Sequence, residues 1–431
     1  MQPKFAVLLV GGALLVALAL RRPVEALALL VFVTAIVPYE VQNRFGLGGG
    51  ASVLLSDVLL ALGLAVAVPR LFTLRLARRE VLLCALIGTI VAVTFVQFVR
   101  GVHLGHGLSQ PGFELRTLTG LAAALVVLPV LADARARERF FGLLLVVAVS
   151  LGAWGLLQWF GHIGYGAGDI GVRPGVRLTS AGKGQLQGGE FGYPVAIVMC
   201  YAALLGGAVR RTLARAGLVV ALVLNGVSLL LTFERTFWAA AVVGVLFVTA
   251  RATPERRLKA LLVLPILAIS FLAALQFFLP AEITTAKERL LSVSQYGTDK
   301  SVRYRVVESH HVADRIREHP VFGSGLGASI YWGQPWSQVP PTSQTFTHNA
   351  YLWLWWKLGL FGAAVIATMF AVAILARGPP SDSMLRRSVR SGAQGALLSF
   401  AIVSVTFSSF AEVSATAVIG VLLSLSLARV G

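Results

Sequence analysis

Three side chains in this 431-residue chain have the types and settings that chemistry at a membrane surface needs: His348, Arg235 and Arg305. A neutral imidazole can take a proton from an attacking hydroxyl and so act as a general base. Arginine stays charged at any biological pH, and its planar fork fits two phosphate oxygens at once. Two such guanidinium groups would neutralise a pyrophosphate, first in a bound molecule and then as charge develops on it when it leaves. Each residue also has a plain structural role open to it. His348 can cap or flank the apolar span that follows it, and Arg235 can be a surface cation in a tight turn. Their setting favours chemistry, because polar groups cost free energy wherever they approach hydrocarbon and a concentrated set of them marks a functional site.

Arg235 lies in Thr232-Phe233-Glu234-Arg235-Thr236-Phe237-Trp238, a corner between two apolar runs with neither Gly nor Pro to make the turn. Glu234 beside it is a candidate acceptor contact and the first substitute for His348 as base. Arg305 lies where Val302, Val306, Ser309, Ala313 and Ile316 repeat at helical spacing; it borders that stripe, whereas Arg303 and Arg315 point away. The run His319-Pro320-Val321-Phe322-Gly323-Ser324-Gly325-Leu326-Gly327 then ends the helix, since proline stops it and glycine permits a tight turn. Its Gly-x-Gly-x-Gly spacing is that of a turn rather than a nucleotide loop, because no strand precedes it. Five of the eight tryptophans fall within 332–356. Most fit an interfacial aromatic belt; Trp332 and Trp336 precede the span, in a loop, and are equally placed to stack on sugar rings. No metal is expected, since His310 and His311 are adjacent rather than spaced as ligands and no Cys, Asp or Glu set completes a site. Cys84 and Cys200 both fall inside predicted spans and read as small buried hydrophobes.

The elements that must position these residues are membrane helices. Hydrophobic residues make up 57% of the chain and charged residues 13%, with a mean hydropathy of +0.79; a soluble chain carries roughly 25% charged residues. Apolar segments of spanning length recur from 4–20 to 414–428 and number thirteen, or 12 if the first two form one hairpin. The fold class is therefore an all-α, polytopic transmembrane bundle. It divides into a helical region over 1–279, an extramembrane helical segment over 280–348, and a final helical region over 349–431. No cleavable leader is expected, because the first apolar run lacks a small-residue cleavage site. The formal charge of +18 is distributed for topology rather than for nucleic acid. Six alternate short loops (21–22, 70–79, 135–139, 210–215, 251–259 and 377–390) hold 20 Lys or Arg, against 8 in the intervening loops and N-terminus. By the positive-inside rule the first set is cytoplasmic and faces anionic lipid, which puts 161–190, the Arg235 corner and 280–348 together on the outer face.

The order and spacing of these motifs resemble one family: an Arg-Thr-Phe-Trp corner at 235–238, Arg305 followed by His-Pro-x-x-Gly-x-Gly at 319–325, His-Asn-x-Tyr-Leu at 348–352 and Gly-Leu-x-Gly at 359–362. The chain is similar to the O-antigen ligase and polymerase superfamily, most specifically over about 230–365. The resemblance implies a membrane glycosyltransferase of the C-type fold. It implies inverting transfer of a glycan from an undecaprenyl-pyrophosphate carrier to an acceptor hydroxyl, with neither metal nor cofactor, at the outer face of the bacterial inner membrane. It places the catalytic histidine on His348 and the pyrophosphate-binding arginines on Arg235 and Arg305. A ligase acting on the lipid A-core is the leading member, with an O-antigen or exopolysaccharide polymerase acting on another glycan as the alternative. A lipid-linked glycan transporter or flippase is the rival class; it is disfavoured because ionisable residues are scarce at mid-span, where transporters place them. The topology is directly testable. In a background lacking Cys84 and Cys200, a cysteine at Ser337 should react with an impermeant reagent from outside, and one at Ser381 only after permeabilisation; equal labelling of both would contradict the outer-face assignment.

Overall fold

The computed structural model describes residues 14–37, 53–160, 191–291, 300–333, 342–379 and 383–427. Residues 161–190, Trp336 and the ends of the chain lie outside the described residues. Apolar runs of spanning length fold as helices throughout, because a helix satisfies its own backbone polar groups where no water can. They are α1 (Pro23–Ile36), α2 (Leu55–Leu71), α3 (Arg78–His103), α4 (Ser109–Thr119), α5 (Ala123–Ala132), α6 (Ala134–Phe160), α7 (Gly192–Leu205), α8 (Thr212–Leu231), α9 (Arg235–Arg251) and α10 (Pro254–Phe278). After them come α11 (Pro280–Leu291), α12 (Lys300–Glu318), the strands β1 (Ile330–Trp332) and β2 (Thr342–Gln344), then α13 (Ala350–Leu375), α14 (Met384–Val403) and α15 (Val413–Leu427). Among the described residues, six units are long and apolar enough to cross a membrane: α3, the joined α4–α5 unit over Ser109–Ala132, α6, α8, α10 and α13. The chain is an all-α, polytopic helical bundle.

Helices α6, α7, α8, α9 and α14 pack as one group, and α1, α2, α5 and α15 as another, with α13 bridging to α3 on one side and to α14 on the other. Small polar residues stitch the helices together inside the apolar layer: Ser399 Oγ donates to the Ala240 carbonyl (2.7 Å) and Asn225 Nδ2 to that of Ala148 (2.8 Å). The basic loops gather at one end of the bundle. Arg251 Nη2 donates to the Ile374 carbonyl (3.2 Å), Arg79 to that of Arg377, and Arg256 to that of Gly206 (2.6 Å), so four of the arginine-rich loops meet around the C-terminal end of α13. The 300–348 segment sits at the opposite end of the same helix, where α12 packs on α13.

Two features depart from the sequence expectation. The 280–348 segment is not helical throughout: β1 and β2 pair antiparallel, with Ile330 opposite Gln344 and Trp332 opposite Thr342. Three-residue strands are too short to declare a period in sequence. The second departure is in α13, expected as a straight span over 350–376. It breaks at Gly359, whose φ of 72° and ψ of 179° belong to a region only glycine occupies freely. The glycine-rich run 319–327 fills the break. Ser324 N–H donates to the Trp356 carbonyl (2.7 Å), while Leu360 N–H and the Trp355 indole both donate to the Pro320 carbonyl (3.1 and 2.8 Å). On its other side the run meets α3, where Leu326 N–H donates to the Gln97 carbonyl (3.0 Å) and Gln97 Nε2 to that of Phe322 (2.8 Å). Gly323, Gly325 and Gly327 all have positive φ, so the run is the turn that its spacing suggested.

Gly359→Ala should lower stability by more than the roughly 1–3 kcal/mol of backbone strain alone, because a Cβ there would also collide with the Val321 carbonyl. Gly88→Ala, on an exposed face of α3 with nothing within 4 Å, should be close to neutral. Thermal unfolding in detergent compares the two, and equal melting temperatures would contradict the packed break.

Candidate active site

His348 lies two residues before the start of α13 at Ala350. Asn349 caps that helix, its side-chain oxygen accepting the N–H groups of Tyr351 (3.0 Å) and Leu352 (3.1 Å). The cap fixes where the helix starts and therefore where His348 stands. Behind it the turn between α14 and α15 supplies two more ties: Ala350 N–H donates to the Ser404 carbonyl (2.9 Å), and Ser408 Oγ donates to the Thr347 carbonyl.

The imidazole is gripped by Glu308 of α12, a carboxylate whose side chain is 1% exposed against 27% for His348. One oxygen, Oε2, receives three donors: Thr347 Oγ1 (3.0 Å), His348 N–H (2.9 Å) and His348 Nδ1 (3.0 Å). A carboxylate only accepts, so Nδ1 carries the hydrogen. Neutral imidazole then has its lone pair on Nε2, the nitrogen turned away from Glu308, which is the arrangement a general base requires. Sequence reading missed Glu308. The buried face of α12 runs through Glu308, Val312 and Ile316 rather than along the expected stripe, and Val306 is exposed. An acidic residue in a charged helix reads as solvated; the available signal was its four- and eight-residue spacing ahead of Val312 and Ile316.

Aromatic rings flank the imidazole. Tyr304 stands edge-on at 5.5 Å between centroids and Phe346 at 5.8 Å. Trp332 lies behind Tyr304 (4.8 Å), beside His311 (5.7 Å), and is only 3% exposed. It is a buried ring behind Tyr304. Arg305 lies on α12 one turn before Glu308 and is half-buried, whereas Arg303 and Arg315 are exposed.

Arg235 opens α9, with Glu234 at the preceding cap position. The corner turns without glycine because Phe233 adopts a left-handed conformation (φ 51°), a strain of about 1–3 kcal/mol. Packing holds it there, with the buried Phe233 ring 5.9 Å from Trp159. Thr232 Oγ1 accepts the Glu234 N–H (3.2 Å). Arg235 Nη1 donates to the Arg289 carbonyl at the end of α11 (3.3 Å). Its neighbour Thr236 accepts a hydrogen bond from Thr406 (2.8 Å), in the same 404–409 turn that holds Thr347 and Ala350. The Arg235 corner and His348 are thus fixed to opposite sides of one turn.

A buried ion pair secures the floor. Lys357 of α13 and Glu114 of α4 meet at 2.8 Å, both inaccessible. Lys357 Nζ also donates to the Ala328 carbonyl (2.5 Å) and lies over the Trp356 ring (4.3 Å). Glu114 also accepts the Gly327 N–H (2.7 Å) and Gln110 Nε2 (3.3 Å), and Gln110 Nε2 reaches Thr345 Oγ1 (3.0 Å). The pair therefore ties the glycine run, the base of the β-pair and the segment leading into His348 to α4. Among the described residues, no three His, Cys, Asp or Glu side chains gather as a metal-ligand set.

Fold and site together define a multi-pass membrane protein with a carboxylate-held imidazole at one end of its helical bundle. Residues 195–367 match the family model described as O-antigen ligase. The matched segment contains Arg235, Arg305, Glu308 and His348. No curated protein matches the chain.

Removing one member of a buried ion pair leaves the other uncompensated, at a cost of about 3–5 kcal/mol. Lys357→Met alone should therefore destabilise strongly, and adding Glu114→Gln should restore part of the loss. Unfolding of the single and double variants in detergent measures this; additive losses would contradict the pairing.

Proposed function

We propose that the protein transfers a glycan from an undecaprenyl-pyrophosphate carrier to a hydroxyl of the lipid A-core, as an O-antigen ligase at the outer face of the bacterial inner membrane. The observation that carries this reading is the Glu308–His348 pair, which holds the imidazole with Nδ1 engaged and Nε2 turned away from its partner. Nε2 takes the proton of the acceptor hydroxyl as its oxygen attacks the anomeric carbon. The bond from that carbon to the carrier phosphate breaks, and its electrons leave with the pyrophosphate. Arg235 and Arg305 neutralise the charge gathering there. One displacement inverts the anomeric centre. Glu308 holds the tautomer and stabilises the imidazolium that forms. The two sides of the membrane follow from the charge pattern: arginine-rich loops at the far end face the cytoplasm, and the site faces out.

The test uses purified protein with a lipid-linked glycan and a lipid A-core acceptor. A general base contributes about 10²–10⁴ in rate, so His348→Ala should lose at least a hundredfold in turnover while still binding the lipid-linked donor. Arg305→Lys should lose most activity although charge is kept, because an ammonium cannot make the two-pronged phosphate contact. Arg303→Lys, at an exposed position, should behave as wild type. A His348→Ala variant with more than about a tenth of normal turnover, or equal effects at 303 and 305, would refute the assignment.

A further inference from the structure

Phe346 is the more open of the two aromatic rings beside His348. Among the aromatic side chains in contact with His348, Tyr304 is partly covered by Trp332 and spends its hydroxyl on Gln344 (3.2 Å). Phe346 instead is 45% exposed, although its centroid lies 5.8 Å from the imidazole. Its neighbours in sequence are Thr342, Ser343, Gln344, Thr345, Thr347 and His348, a polar strand rather than a lipid-facing helix. Leaving a phenyl ring in such a segment open to solvent costs free energy unless something covers it. Thr345 and Thr347 on either side of it are both tied down, by Gln110 and Glu308 respectively, so the ring is carried on a fixed backbone.

Building on the ligase reading, we propose that Phe346 is the acceptor platform: a sugar ring of the acceptor lies with its apolar C–H face against the phenyl ring and its reactive hydroxyl at His348 Nε2. The face of an aromatic ring is the negative side of its quadrupole and attracts the slightly positive C–H groups on one face of a pyranose. A ring beside the general base serves the nucleophile, and the donor is held by its pyrophosphate. The assignment makes the acceptor a sugar hydroxyl rather than a protein side chain or a flexible lipid headgroup. Trp332, buried behind Tyr304, supports the site from behind.

Steady-state kinetics of the purified protein in nanodiscs separates this from packing. Phe346→Leu keeps apolar bulk without a π-face, and Phe346→Tyr keeps the face. The leucine variant should raise KM for the lipid A-core acceptor about tenfold, leaving KM for the undecaprenyl-pyrophosphate glycan within twofold; the tyrosine variant should match wild type. Tyr331→Ala, which removes an aromatic side chain 70% exposed on β1, should change neither constant. A leucine variant with normal acceptor KM, a loss confined to kcat, or an equal effect at Tyr331 would overturn the platform. Failure of the wild-type protein to release undecaprenyl pyrophosphate would instead remove the ligase reading on which the platform rests.

Discussion

A helix cannot be broken inside a membrane unless something else satisfies the backbone groups that the break sets free. In this protein the break is at Gly359 and the satisfying element is the 319–327 run, bonded to the Trp356 carbonyl and the Leu360 N–H on one side and to Gln97 on the other. That single constraint orders the end of the molecule that holds His348. It fixes α12, which ends at this run, against α13, and so brings Glu308 to His348. It also explains why ionisable groups are tolerated below the site: Lys357 and Glu114 spend their charges on one another and on the loop backbone. Buried pairs of this kind are weak contributors to net stability and specify which arrangement forms.

The chemistry then needs little more. A carboxylate receiving three donors holds one imidazole nitrogen, and the other faces away from it. Arg235 stands at the head of α9 and Arg305 on α12, the helix that also carries Glu308. The head of α9 and the segment leading into α13 are joined through the 404–409 turn. Strain is confined to positions with a use. The left-handed Phe233 lets the chain reverse between α8 and α9 without a glycine, and so sets Arg235 at the first position of the helix.

Much of the fold was legible because apolar runs of spanning length leave few alternatives to helices, and four of the six arginine-rich loops that sequence put on one side meet at one end. Motif order also located His348 and both arginines within the matched family segment. Three things stayed hidden. Glu308 was hidden because its burial depends on which face α12 turns to α13, a tertiary fact. The break at Gly359 was hidden because a lone glycine in an apolar helix is ordinarily tolerated. The burial of Trp332 was hidden because a tryptophan in a loop reads as available, whereas pairing of β1 with β2 folds it inward beside Tyr304.

The central claim is a metal-independent, single-displacement transfer from a lipid pyrophosphate by this chain alone. The most direct test is to reconstitute the purified protein in vesicles with a labelled undecaprenyl-pyrophosphate glycan and lipid A-core, add EDTA, and determine the anomeric configuration of the product by NMR. The account expects release of undecaprenyl pyrophosphate in step with transfer, undiminished by the chelator, and a linkage inverted relative to the donor. Retention of configuration, or activity lost in EDTA and restored by magnesium or manganese, would contradict it.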